Sequence, residues 1–217
     1  MASGVIMVKK SKGKAKSASN KKLSSEEKVT ISPMDLRIMK VGVRGISPLL
    51  QNKFSNEARD QILNKQTGKT SQKKNRDIKA EVESKIHKID DKTVGFPVVG
   101  FKKAMVECAP YLEGLDKKRV RGAMHLIGDS GNLVQIDYDE MVMNEAMVQL
   151  ARNTRSIAFR PEFRGWKAML TIRYNASLIS PEQIVNLANY AGFHIGVGDW
   201  TPQHNGSFGQ FEVVTNE

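Results

Sequence analysis

Residues 166–214 dictate the order in which strands and helices follow one another. Residues 166–174 (Trp-Lys-Ala-Met-Leu-Thr-Ile-Arg-Tyr) alternate in polarity, as a half-buried strand does. Ser180, Pro181 and Glu182 then supply an N-cap, a proline at the first helical position and an acid in the first turn. They predict a helix that runs to about Ala191 and is capped by Gly192. A glycine-rich run over 192–213 follows, and 208–214 reads as a strand. The glycines Gly196, Gly198, Gly206 and Gly209 predict a built loop, either a tight connection or a surface for a planar or anionic partner.

The first half carries a similar pattern. Leu36, Ile38, Val41, Val43 and Ile46 alternate imperfectly with Arg37, Lys40 and Arg44, a strand that Pro48 ends. Phe101, Met105, Cys108, Ala109 and Leu112 recur at near-helical spacing, with Lys102 and Lys103 in the first turn. Residues 117–126 read as a second short helix and 133–138 as a strand. Two β-α-β halves predict an α+β fold with a ferredoxin-like, RRM-like βαββαβ core.

Length and composition divide the rest of the chain. At 217 residues and 40% hydrophobic content, one domain over 34–217 is expected. Residues 1–33 hold eight lysines against two glutamates among Ser, Gly, Ala and Asn, and predict a disordered basic arm. Such an arm either binds phosphate or aids solubility. Residues 51–92 form a long polar insertion, expected to be functional, partly helical around 76–89, or mobile, in which 65–79 carries six basic residues against Asp77 alone.

A formal charge of +11 favours an anionic partner, nucleic acid before an anionic membrane surface. No run approaches the roughly 20 apolar residues of a membrane span, and residues 1–10 lack the apolar core of a secretory signal. A cytoplasmic location is expected, the host cytoplasm if the chain is phage-encoded. One cysteine, Cys108, excludes an intrachain disulfide and reads as a core residue. His87, His125, His194 and His204 are not at metal-ligand spacing, and neither Gly-x-Gly-x-x-Gly nor a P-loop is present. No metal or cofactor is expected.

Residues 45–50 (Gly-Ile-Ser-Pro-Leu-Leu), 96–105 (Phe-Pro-Val-Val-Gly-Phe-Lys-Lys-Ala-Met) and the glycine loop before the last strand resemble the repeat-associated mysterious proteins. That RNA-binding superfamily includes the backbone subunits of CRISPR effector complexes. The resemblance implies a modified ferredoxin-like fold with insertions, RNA binding, and assembly along the strand as a homo-oligomer or complex subunit. Residues 155–213 are also similar to uncharacterised proteins of tailed phages and prophages. The superfamily contains guide-processing ribonucleases that use histidine, which makes His194 and His204 the candidates for acid–base chemistry in an endoribonuclease reading.

The binding residues expected from the sequence fall into three groups. Lys73, Lys74, Arg76, Lys102, Lys103, Arg119 and Arg121 are placed to neutralise phosphates. Arg152, Arg155, Arg160, Arg164 and Lys167 interleave with Phe159, Phe163 and Trp166, aromatics that either stack on bases or enter the core. Trp200 and Phe208 would form a platform on the glycine loop. Together they predict a non-catalytic protein that binds single-stranded nucleic acid, RNA favoured. The alternatives are a phage or complex assembly subunit with protein partners and a histidine-dependent endoribonuclease.

Overall fold

The computed structural model describes residues 5–6, 29–30, 33–54, 56–67, 77–149 and 155–214. Residues 1–35 form one unit, in which β1 (Val5–Ile6) pairs antiparallel with β2 (Val29–Thr30). The rest of the expected basic arm, apart from Pro33, lies outside the described residues.

Residues 36–217 form a second unit of mixed α and β structure. It begins with β3 (Leu36–Gly45), β4 (Leu49–Leu50), α1 (Asn56–Gln66), α2 (Ile78–Ser84), β5 (Gly95–Pro97), α3 (Val98–Cys108) and α4 (Lys117–Ala123). It continues with β6 (Met124–Ile127), β7 (Leu133–Gln135), β8 (Glu140–Gln149), β9 (Arg155–Arg164), β10 (Lys167–Asn175), α5 (Pro181–Tyr190) and β11 (Phe211–Val213). Among the described residues no helix is long and apolar enough to cross a membrane.

The largest sheet is antiparallel throughout, in the order β11-β3-β10-β6. Its register runs from Lys167 opposite Arg44 to Asn175 opposite Leu36. Period-two alternation therefore puts Val41, Val43, Ala168, Leu170, Ile172 and Tyr174 on one face, where they are buried. They share a core with Phe101, Met105 and Cys108 of α3 and with Ile184 and Leu187 of α5. Lys40, Arg44, Lys167 and Arg173 stay exposed at the alternate positions. A one-residue slip would exchange the two faces, so burial locks the register.

Trp166 ties the sheet to the next layer. Its ring is 1% exposed and Nε1 donates to Ser47 O at 2.9 Å. Gly45 N–H donates to Trp166 O at 2.7 Å, an approach that a Cβ would block at 2.1 Å from Nε1. Phe101 meets Trp166, Phe96 and Phe211 with ring centroids 5.6 to 6.3 Å apart, at the tilted and edge-on angles that aromatic rings favour.

A second sheet, β4-β9-β8, carries a long antiparallel ribbon in which Glu140 to Gln149 pair with Arg164 to Arg155. Within the expected insertion, Asp77 caps α2 by accepting from Ala80 N–H at 3.1 Å. Lys85 then joins this segment to β9 by donating to Phe159 O at 2.7 Å.

Several boundaries differ from the sequence reading. α3 starts at Val98 with Pro97 as its extended N-cap residue, so Lys102 and Lys103 lie in the second turn and lose any special relation to the helix dipole. The expected helix over 117–126 stops at Ala123, because Met124 and Leu126 turn inward as strand β6 pairs with β10. Ser180 forms the expected cap with Gln183. Gly192 does not end that helix: a π-helical turn, Ala191–Ile195, carries it on, closed by Gly196 N–H to Ala191 O at 2.8 Å. The strand expected over 208–214 is confined to β11, and that over 133–138 to β7.

Candidate nucleic-acid interface

On the outer side of α3, Val99, Lys102, Lys103, Val106, Glu107 and Arg121 line a groove of about 310 Å³. α3 buries Phe101, Ala104, Met105 and Cys108, and helical geometry turns Val99, Lys102 and Lys103 outward. α4, capped by Asp116 accepting from Lys118 and Arg119 N–H, brings Arg121 to the same groove. Partial burial, and then the Arg121 charge, hold the Lys102 amine below its ordinary pKa. Lys102 Nζ is 3.1 Å from His125 Nδ1. Glu107 is taken up by Lys117, 2.5 Å away, whose hydrogen bond is the main reason its carboxyl titrates low. Among the described residues no carboxylate is ion-paired with Lys102, Lys103 or Arg121.

The remaining expected phosphate contacts do not join this group. Arg119 is committed to the fold, with Nε donating to Leu178 O at 2.8 Å and Nη1 to Gly114 O at 3.2 Å. Lys73, Lys74, Arg76 and Arg152 lie outside the described residues.

The interleaved arginines and aromatics separate by strand periodicity. β9 turns Phe159 and Phe163 to one face and Arg160 and Arg164 to the other. Phe159, Phe163 and Trp166 are buried, which removes them as base-stacking groups. Arg164 is held by Glu162 at 2.8 Å and Glu140 at 3.4 Å. Arg160 is itself 8% exposed, with Nε 2.6 Å from Asp199 Oδ2 and its guanidinium 5.2 Å from the Trp200 ring centroid. Its Nη1 has no hydrogen-bond partner among the described residues. Arg155 is exposed at the far end of the ribbon, opposite Gln149, and Lys167 is exposed on β10.

The glycine loop is a structural clasp. Asp199 N–H donates to Leu50 O at 3.0 Å and Gly209 N–H to Pro48 O at 2.8 Å, so the loop holds the 48–50 segment. Val197 N–H and Gly206 N–H are also engaged, by Gly209 O and Thr201 O. Those four donors are therefore not free to bind an anion. Gly209 has a φ of +69°, and a Cβ there would lie 1.7 Å from Val197 O. Trp200 and Phe208 are both half-buried, and Trp200 has a left-handed φ of 52°. The expected platform is therefore largely folded into the clasp.

The histidines also separate. His204 sits in a short turn, Pro202–His204, whereas His194 packs among the rings of Tyr111, Tyr190 and Phe193. Cys108 is buried, and burial first, then Glu107, pushes its thiol up to about 12, far from a reactive thiolate.

Comparison with protein-family models gives no match, and comparison with curated protein sequences gives none either.

Proposed function

We propose that the chain binds single-stranded nucleic acid, RNA by preference, from a ferredoxin-like core and without chemical action on it. The order β3, α3, β6, β10, α5, β11 supports that core. So does the sheet order, which sets the last of these strands beside the first and the two middle ones side by side. The preference for RNA, and assembly along it, rest on the resemblance to the repeat-associated mysterious proteins.

The observation that carries binding is the groove of Lys102, Lys103 and Arg121. Gathering like charges around a partly buried amine raises the free energy of the empty groove, and a phosphodiester oxygen lowers it. Purified, nuclease-treated protein should bind labelled single-stranded RNA more tightly than DNA or duplex. Affinity should fall with salt, and Lys102→Glu or Arg121→Glu should reduce the logarithmic salt slope by roughly 0.7 for each phosphate no longer neutralised. Unchanged affinity and slope in both variants would remove the groove from the interface.

The ribbon favours a second reading, an assembly subunit with protein partners. β8 is an edge strand, and Met143 and Met147 on it are exposed. Particles that form in high salt without nucleic acid would support that reading over the first.

A further inference from the structure

We propose that Tyr111, Phe193 and His194 form the platform on which bases stack while the phosphates of the same strand lie on Lys102, Lys103 and Arg121. The proposal rests on the nucleic-acid reading above and moves the stacking surface away from Trp200 and Phe208, which the clasp half-buries. Large aromatic side chains normally enter the core, yet Tyr111 is 58% exposed and Phe193 63%. His194 lies parallel to Tyr111, with centroids 4.8 Å apart and planes 17° apart, and Phe193 stands edge-on to it at 4.9 Å. Tyr190 flanks the group at 5.7 Å. An exposed cluster of planar rings is a surface suited to other planar rings.

The fold builds this cluster with an irregular element. The π-helical turn after α5 keeps Ala191 and Ile195 buried and turns Phe193 and His194 outward as neighbours. Gly192 fixes the turn against β11, since a Cβ there would lie 1.8 Å from Phe211 O. Such turns are often found at functional sites.

Continuity with the cations decides the occupant. Tyr111 ends the short turn that follows α3, the helix that carries Lys102 and Lys103. Tyr111 lies eight positions after Lys103, about 12 Å along the axis at the rise of a helix. A stacked strand advances roughly 3.4 Å per nucleotide, so about four nucleotides span the distance. Glu107, which lies between, is neutralised by Lys117. A single strand is the ligand that offers planar rings and negative charge at this spacing together.

The test uses the full chain and two labelled ten-nucleotide strands, single-stranded RNA and an abasic strand of equal charge. Phe193→Ala and Tyr111→Ala should each weaken RNA binding roughly 5- to 150-fold, the effect of losing one base–aromatic stack. Both should leave the abasic strand unaffected, and Phe193→Trp should restore RNA binding. If both alanine variants bind RNA like wild type while Lys102→Glu does not, the platform is overturned and the nucleic-acid reading stands. Equal losses on the two strands also overturn stacking. Wild-type protein that binds neither strand at low salt ends both proposals. Circular dichroism melts check folding, and because Phe193 is so exposed, Phe193→Ala carries the test should Tyr111→Ala misfold.

Discussion

At the scale of single residues, the glycines separate into those that hold the fold and those that merely turn it. Gly209 combines a left-handed backbone with an absence of space, so Gly209→Ala should lower unfolding free energy by about 2–5 kcal/mol. Gly114 has a φ of +75° but nothing within 4 Å of the point a Cβ would occupy, and Gly114→Ala should cost only about 1–2 kcal/mol. Equal losses in urea unfolding would contradict the steric argument. His87 gives a pH dependence of defined sign. Burial, with Lys53 second, holds its pKa below the ordinary 6.5. As pH falls through that value the unfolded chain takes up a proton that the native state still refuses, and stability drops. Urea unfolding at pH 7.5 and 5.5 should show a smaller loss for His87→Gln than for wild type, and identical losses would exclude His87 as a source.

Among the elements, α5 is the most fully written in the sequence. Ser180 accepts from Gln183 N–H at 3.2 Å while the Gln183 side chain accepts from Ser180 N–H at 3.0 Å. Ser180→Ala should therefore cost about 1 kcal/mol, and a melting temperature unchanged by it would mean that tertiary packing alone holds the helix start. β3 and β10 are legible by a different local signal, alternation of apolar and polar residues. The ribbon is not, because the proximal end of β9 is buried on both faces and its run from Phe159 to Phe163 shows no simple period. The sequence presents Arg160 and Arg164 as one set with Phe159 and Phe163, and only a strand geometry reveals that the two pairs point apart. Of the candidate interface, Lys102, Lys103 and Arg121 could be found from the sequence. The pairing of Tyr111 with His194 could not, since it depends on a turn whose extra residue has no local signature.

Taken whole, the chain distributes its charge unevenly. Residues 1–33 carry a net +6 of the total +11, so on the proposed reading long-range attraction to an anion would rest at least as much on that segment as on the groove. Removing residues 1–33 should flatten the salt dependence of binding yet leave the preference for single strands, and leave the remaining affinity sensitive to Lys102→Glu. Loss of both preference and sensitivity, measured by titration across a salt series, would assign recognition to the arm instead.

The position of β3 between β10 and β11 has a consequence for the nascent chain. Both hydrogen-bonded neighbours of this strand are translated long after it, and at roughly 5–20 residues per second that is a wait of many seconds. Throughout that interval Val41 and Val43 have no sheet to complete, and the apolar face of α3 lacks α5. Until its partner strands emerge, exposed apolar surface of this kind lets association compete with folding.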